Sequence, residues 1–258
     1  MNPTPPLLTV TPSKALIQPI YLLADSQLLF WKRRGTIFLD SIRSLLTKES
    51  PKAAYIGASN GDIPDYFCIF QAAVTSVGIT HYRMIKSSYS TDDANFLQQA
   101  DLILLSGGDV STGWQTLTKT GMNNVIIERY YEGAVLIGTS AGAVQLGLYG
   151  CRENGPSNKE LFETLKLIPF MVDTHDERRD WSSLRDTLLL LDNNVSGIGI
   201  PAGAGVAYHP NGDLEPIRFA SDVFSVIGGR LEQNILLPYP EGAAQESLVP
   251  HGPINDAS

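Results

Sequence analysis

Short apolar runs alternate with longer amphipathic stretches through the first half of the chain, and the alternation is the strongest signal in the sequence. Runs at 19–23, 53–58, 81–85, 102–106 and 135–138 have the length and β-branched content of buried strands. Between them, 41–46, 66–77, 92–99 and 112–119 carry helical spacing, with Asp62 and Asp92-Asp93 as N-terminal signals. Strand–helix alternation predicts an α/β fold: a three-layer sandwich around a mostly parallel sheet. Further on, Asn211-Gly212 between Val206-Ala207-Tyr208 and Leu214-Glu215-Pro216-Ile217 predicts a β-hairpin. Gly228-Gly229 predicts a second. No internal repeat or linker interrupts the pattern, so one domain is expected.

One of these transitions carries chemistry. The run Gly133 to Ile137 leads into Gly138-Thr139-Ser140-Ala141-Gly142 and then into the helix-compatible Ala143-Val144-Gln145-Leu146. A strand, a G-x-S-x-G turn and a helix together make a nucleophile elbow, in which small neighbours let the backbone bend sharply and lift the serine hydroxyl outward. The competing reading is a small-residue turn whose serine only caps the helix.

Composition narrows the function. The chain has 258 residues, 19 basic against 27 acidic, for a net charge of −8. An acidic chain whose basic knots are only Lys32-Arg33-Arg34 and Arg178-Arg179 is not built to track nucleic-acid phosphates. Cys68 and Cys151 are the only cysteines, which argues against a disulfide framework or structural zinc site and fits a reducing compartment. The first residues lack a signal-peptide pattern and no run approaches a membrane span. The expectation is a cytoplasmic protein with neither nucleic acid nor membrane as partner.

A serine nucleophile needs a base, a group that orients the base and an oxyanion hole. Of the four histidines, His81 opens a strand, His209 sits beside a turn and reads as solvent-facing, and His251 lies in a Pro- and Gly-rich tail. His175 follows an apolar segment ending at Val172, just past a strand end, amid Asp173, Asp176, Glu177, Arg178, Arg179 and Asp180. A second strand ends in Ser106-Gly107-Gly108-Asp109, where two glycines let a ligand approach the main chain. Free N–H groups at Gly107 to Asp109, with that of Ala141, are the expected oxyanion donors. Gly57, Ser59-Asn60 and Gly61 form a third strand-end loop that could line the same crevice.

These segments, with the later Gly197-Ile198-Gly199-Ile200, resemble the serine peptidases that include cyanophycinase and aspartyl dipeptidase (peptidase E). The resemblance runs from Ala53 to Ile217. It implies a fold similar to class I glutamine amidotransferase domains and cleavage of a peptide or isopeptide bond next to aspartate, without metal or other cofactor. It implies Ser140 as nucleophile, His175 as base, and Gly108 and Ala141 as oxyanion donors, with Asp109 flanking the first. Asp109, Asp173 and Arg179 fall at or near substrate-binding positions, and Arg178 joins them as an expected substrate-binding residue, either arginine being a partner for a substrate carboxylate. The partner is then a small peptide or isopeptide, and a homodimer is the implied oligomer. Residues 1–52 are expected to supply an N-terminal strand and helix of the same domain, 53–238 the catalytic core and 239–258 a frayed tail.

One departure stands out. Where the family carries the glutamate that orients its histidine, this chain reads Pro201-Ala202-Gly203-Ala204, with Ala202 at the glutamate position. Either another acid takes its place, Glu153 being the chosen candidate and Asp176 the other, or the protein is a weakened or repurposed relative that binds a peptide or metabolite or performs other acyl transfer. An α/β-hydrolase esterase, in the order Ser140, Asp213, His251, is the remaining arrangement.

Overall fold

All five apolar runs become neighbouring parallel strands of one sheet in the computed structural model, which describes residues 16–33, 35–153, 159–191 and 195–238. The first half contains β1 (Ile20–Leu23), β2 (Lys32–Arg33), β3 (Thr36–Ile37), α1 (Phe38–Arg43), β4 (Lys52–Ile56), α2 (Pro64–Ser76) and β5 (His81–Ile85). It continues with α3 (Thr91–Leu97), β6 (Leu102–Leu105), α4 (Val110–Thr120), α5 (Met122–Tyr131), β7 (Val135–Thr139) and α6 (Ala141–Leu146). The second half adds β8 (Tyr149–Glu153), β9 (Lys159–Glu163), β10 (Phe170–Thr174), α7 (Ser182–Leu190) and β11 (Ser196–Ile200). It closes with β12 (Gly205–Tyr208), β13 (Leu214–Ile217), β14 (Ser221–Ile227) and β15 (Arg230–Leu236).

The large sheet has the order β13-β12-β1-β7-β6-β4-β5, with β12 and β13 antiparallel at one edge. Successive side chains of its strands divide between two faces. Leu22, Ile103, Leu105 and Leu136 pack with Leu117, Ile126 and Leu146 of α4, α5 and α6. Leu23, Leu102, Leu104 and Ile137 pack on the opposite face with Phe38 and Ile42 of α1 and with Phe70 and Val74 of α2. Helices on both faces bury the central strands β1, β6 and β7 completely and β4 almost so, which explains why these read as unbroken apolar runs, while the edge strand β5 stays partly exposed. The three layers of the sandwich follow directly.

A second sheet, β10-β11-β14-β15, encloses its own cluster of Met171, Trp181, Leu184, Leu188 and Phe224 beneath α7. The sequence reading did not anticipate this sheet, nor α5, α7 and the β8–β9 hairpin. Both predicted hairpins are present, and Gly228 and Gly229 supply the two positive φ angles that a tight turn requires (59° and 76°).

Two helix starts differ from expectation. Ser90 caps α3 and Asp93 closes a reciprocal capping box with it, so the Asp pair is the first turn and not the cap. Asp62 is not a cap either: it sits at φ 60° and accepts from the Ser87 N–H, while Pro64 opens α2. The tail expected at 239–258 lies outside the described residues. Among the described residues no helix is long and apolar enough to cross a membrane.

Candidate active site

Parallel strands place their following loops at one end of the sheet, and four adjacent strands meet there. The loops after β1, β4 and β6, together with the β7–α6 turn, surround a cleft of about 280 Å³. Such a crevice at the carboxyl ends of the strands is where open α/β sheets bind ligands.

Ser140 stands in this cleft at φ 47° and ψ −112°, a conformation L-residues rarely adopt. Its N–H donates to the Leu23 carbonyl at 2.9 Å, and its carbonyl accepts from Ala143 and Val144 as α6 begins. The turn is held by contact, not only by hydrogen bonds. A Cβ on Gly138 would lie 2.5 Å from the Gly142 carbonyl oxygen, and one on Gly142 would lie 2.2 Å from the Leu105 carbonyl oxygen. Gly142→Ala therefore forces α6 away from β6, and is expected to cost about 3 kcal/mol. A thermal melt should show the midpoint lowered by roughly 10 °C; a midpoint unchanged within experimental scatter would show that the helix seats without this contact.

Opposite the serine, Ser140 Oγ and His175 Nε2 lie 2.8 Å apart. His175 directly follows β10, itself in left-handed conformation at φ 48°, and its N–H donates to the Ile200 carbonyl at the end of β11. The second sheet thus carries the base to a nucleophile mounted on the first. Asp213 of the esterase arrangement is instead in the β12–β13 turn, hydrogen-bonded to Asn211, and His251 lies outside the described residues.

Two main-chain segments border the serine. Ala141 is the first residue of α6, so its N–H has no carbonyl one turn earlier to meet. Gly107 and Gly108 line the cleft, and a Cβ on Gly107 would lie 3.3 Å from Ser140 Cβ. Gly108, at φ 133°, presses on Ser59, whose carbonyl accepts the Asp109 N–H at 2.8 Å. That corrects one expectation: the Asp109 N–H is spent on the neighbouring loop and is not a free oxyanion donor. The Asp109 side chain accepts from Thr112 N–H and caps α4, and these hydrogen bonds hold its carboxyl below the usual range. Gln145 fastens the loops together, donating to Ser59 Oγ and the Val110 carbonyl, both at 3.0 Å.

The chain belongs to peptidase family S51. Its pattern matches residues 22–212, which span the elbow, the Gly107-Gly108 loop and His175. The chain is 25% identical over 167 residues to the uncharacterized peptidase YgaJ of Bacillus subtilis (strain 168), covering 63% of this chain and 70% of that one. The fold is also that of a peptidase from an acI-B1 Actinobacterium, with TM-score 0.67 and 19% identity over 88% of this chain and 97% of the other. A candidate peptidase E from Listeria monocytogenes EGD-e has TM-score 0.56 and 17% identity over 79% and 100% of the two chains. This S51 chain is thus a peptidase with a peptidase E-like fold.

The remaining residues singled out in the sequence lie apart from Ser140. Asp173, Asp176 and Arg179 line a second cleft between β10 and α7, with Arg179 Nε 2.5 Å from Asp176 Oδ1. Arg178 is exposed on the short turn 177–179. Glu153 is placed by its backbone at the end of β8, opposite Lys159, next to residues 154–158 that are outside the description. Ala202 is exposed, two residues past Ile200, and among the described residues no acceptor meets His175 Nδ1. His209, expected to face solvent, is half-buried with Nε2 3.1 Å from Glu215 Oε2. Asp25 was not singled out at all, yet it lies in the cleft with the serine.

Asp173 carries a measurable electrostatic consequence. Burial, reinforced by the Asp176 charge, pushes its carboxyl up to about 6, against the lowering influence of the Thr174 N–H, His175 and Arg179. Its folded-state value lies above its unfolded one, so the folded state binds the proton more tightly. Stability from this group is present at low pH and falls as pH rises from about 4 to about 6, with no further loss above. Asp173→Asn is expected to leave stability near pH 4 unchanged and to raise it at pH 7.5 by roughly 2 kcal/mol. Denaturant titration at the two pH values checks the difference; an equal effect at both would assign the change to packing.

Proposed function

We propose that this protein is a serine peptidase that hydrolyses short peptides or isopeptides through an acyl-enzyme on Ser140. The observation that carries the proposal is the 2.8 Å approach of Ser140 Oγ to His175 Nε2 at a strained elbow inside a cleft. His175 Nε2 takes the hydroxyl proton while Oγ bonds to the substrate carbonyl carbon. The N–H groups of Gly108 and Ala141 hold the oxyanion that forms. The imidazolium then gives its proton to the departing amine as the C–N bond breaks. Water, deprotonated by the same imidazole, attacks the ester and releases the acid product.

The third member of the triad is the unusual part. With Ala202 at the family's glutamate position, Nδ1 meets no carboxylate among the described residues to fix its tautomer or share the imidazolium charge, which makes the enzyme a slow member of its class. The competing reading is that Glu153, whose side chain lies outside the described residues, takes the place of the missing acid. Labelling by a fluorophosphonate, read by intact mass, tests the reading: wild type is expected to take one label at Ser140 and His175→Ala to take it far more slowly. A folded wild type that never reacts would overturn it in favour of a binding protein.

A further inference from the structure

Family resemblance points to aspartate beside the scissile bond, and a pocket for aspartate needs a cation. Among the described residues no lysine or arginine lines this one, and the charged side chain there is Asp25, an acid. Arg179 faces the other cleft, where it is paired to Asp176. Arg218, beside the Gly203 turn, stacks on Phe219 at 4.7 Å and does not line the cleft. The basic side chains outside the description are those of Lys14, Arg34, Lys159 and His251.

What the cleft does present is a mainly apolar wall, with Ser26, Asn60 and Thr139 as neutral polar groups at its edges. Leu29, Ile69, Phe70 and Leu104 form its wall, and Tyr66 stands half-exposed at its side. An aspartate side chain would lose water there and gain no counter-charge. An aromatic or branched aliphatic side chain would bury its surface favourably.

Asp25 completes the recognition. It lies two residues past Leu23, whose carbonyl accepts the Ser140 N–H, so the carboxylate is tied to the same strand end as the nucleophile. Oδ1 accepts from Gln27 N–H at 2.9 Å and Oδ2 from Gly203 N–H at 2.7 Å. These two bonds fix the carboxylate and leave further acceptor capacity on each oxygen. No cation among the described residues pairs with it. An oriented carboxylate with no cationic partner among the described residues, set beside an apolar wall, suits an ammonium group.

Resting on the serine-peptidase reading, we infer that the cleft takes the free N-terminal residue of a short peptide, with an apolar or aromatic side chain against Leu29, Ile69 and Phe70 and the α-ammonium on Asp25. Aspartate is disfavoured at this position. Positioning by Asp25 then determines that the enzyme removes or recognises one residue from an unblocked end.

The test separates binding from turnover. Fluorophosphonate labelling of Ser140 is followed in the presence of phenylalaninamide, aspartic α-amide or N-acetyl-phenylalaninamide. Phenylalaninamide is expected to protect at least about tenfold better than either of the others. Because Asp25→Asn removes one of the two side-chain acceptors that hold the Gln27 and Gly203 N–H groups and risks misfolding, the second variant is Tyr66→Arg on the exposed side of α2. It is expected to shift protection toward aspartic α-amide by about tenfold. Better protection by the aspartyl compound in wild type, or equal protection by the acetylated one, would overturn the inference while leaving the peptidase reading intact. Absence of labelling under every condition would overturn both.

Discussion

Ser140→Ala is expected to reduce peptide hydrolysis to background, a loss of at least about 10⁴-fold in kcat, with the melting temperature hardly changed. The loss is large because the alanine lacks the only atom that can form the acyl-enzyme, and the remaining oxyanion donors give only residual acceleration. Folding should tolerate the change well. Ser140 Oγ is bonded to His175 and to nothing else in the core, and the left-handed backbone there is fixed by Gly138, Gly142 and the Leu23 carbonyl. Removing a strained polar side chain of this kind commonly leaves a protein equally or more stable. His175→Ala should fall almost as far, and the double variant no further, because the two groups act as one unit. Additive losses in kcat, measured on a single substrate, would contradict a shared proton transfer.

Much of this architecture was readable beforehand, and the reason is burial. β4, β6 and β7 are covered on both faces, so their residues had to be apolar without interruption, and the elbow follows from Gly138 and Gly142, which alone fit against the Gly142 and Leu105 carbonyls. α5 was missed although Met122, Ile126 and Tyr130 recur at helical spacing and are buried. Gly121 directly before it reads as a stop, whereas it ends α4 and starts α5 in one left-handed residue. The second sheet was hidden for another reason: two of the five residues of β11 are glycine, because Gly197 and Gly199 make room for Leu184, Leu188 and Trp181. A strand chosen for closeness and not for side-chain bulk gives little periodic signal.

The site divides in the same way. Ser140 and His175 were legible because each follows a strand in a recognisable local pattern. Asp25 was not, since a single acid after a buried strand resembles an ordinary helix cap, and it does cap the turn that follows. Its second role depends on β1 lying beside β7 in the sheet, a neighbour relation set by long-range pairing. The arginines were nominated from the family resemblance and as partners for an acidic substrate, but Arg179 lines the cleft beside α7 with Asp176, and Arg178 is exposed on the turn before it.

Ala202→Glu is the variant expected to gain activity, by at least about tenfold in kcat. The Ile200 carbonyl accepts the His175 N–H and the Gly203 N–H donates to Asp25, so position 202 lies on a turn tied to the histidine at one end and to Asp25 at the other. Ala202 is exposed, which leaves room for a longer side chain without disturbing the core. A carboxylate there would accept from Nδ1–H, hold Nε2 as the unprotonated nitrogen facing Ser140, and stabilise the imidazolium. Rate and binding should separate: kcat rises while protection of Ser140 by phenylalaninamide stays the same, since the new group touches the base and not the substrate. Ala202→Gln should bring little of the gain, because an amide cannot offset the imidazolium charge. If Ala202→Glu leaves kcat at the wild-type value, an acid already serves His175, and Glu153→Gln should then show the loss that Ala202→Glu failed to repair.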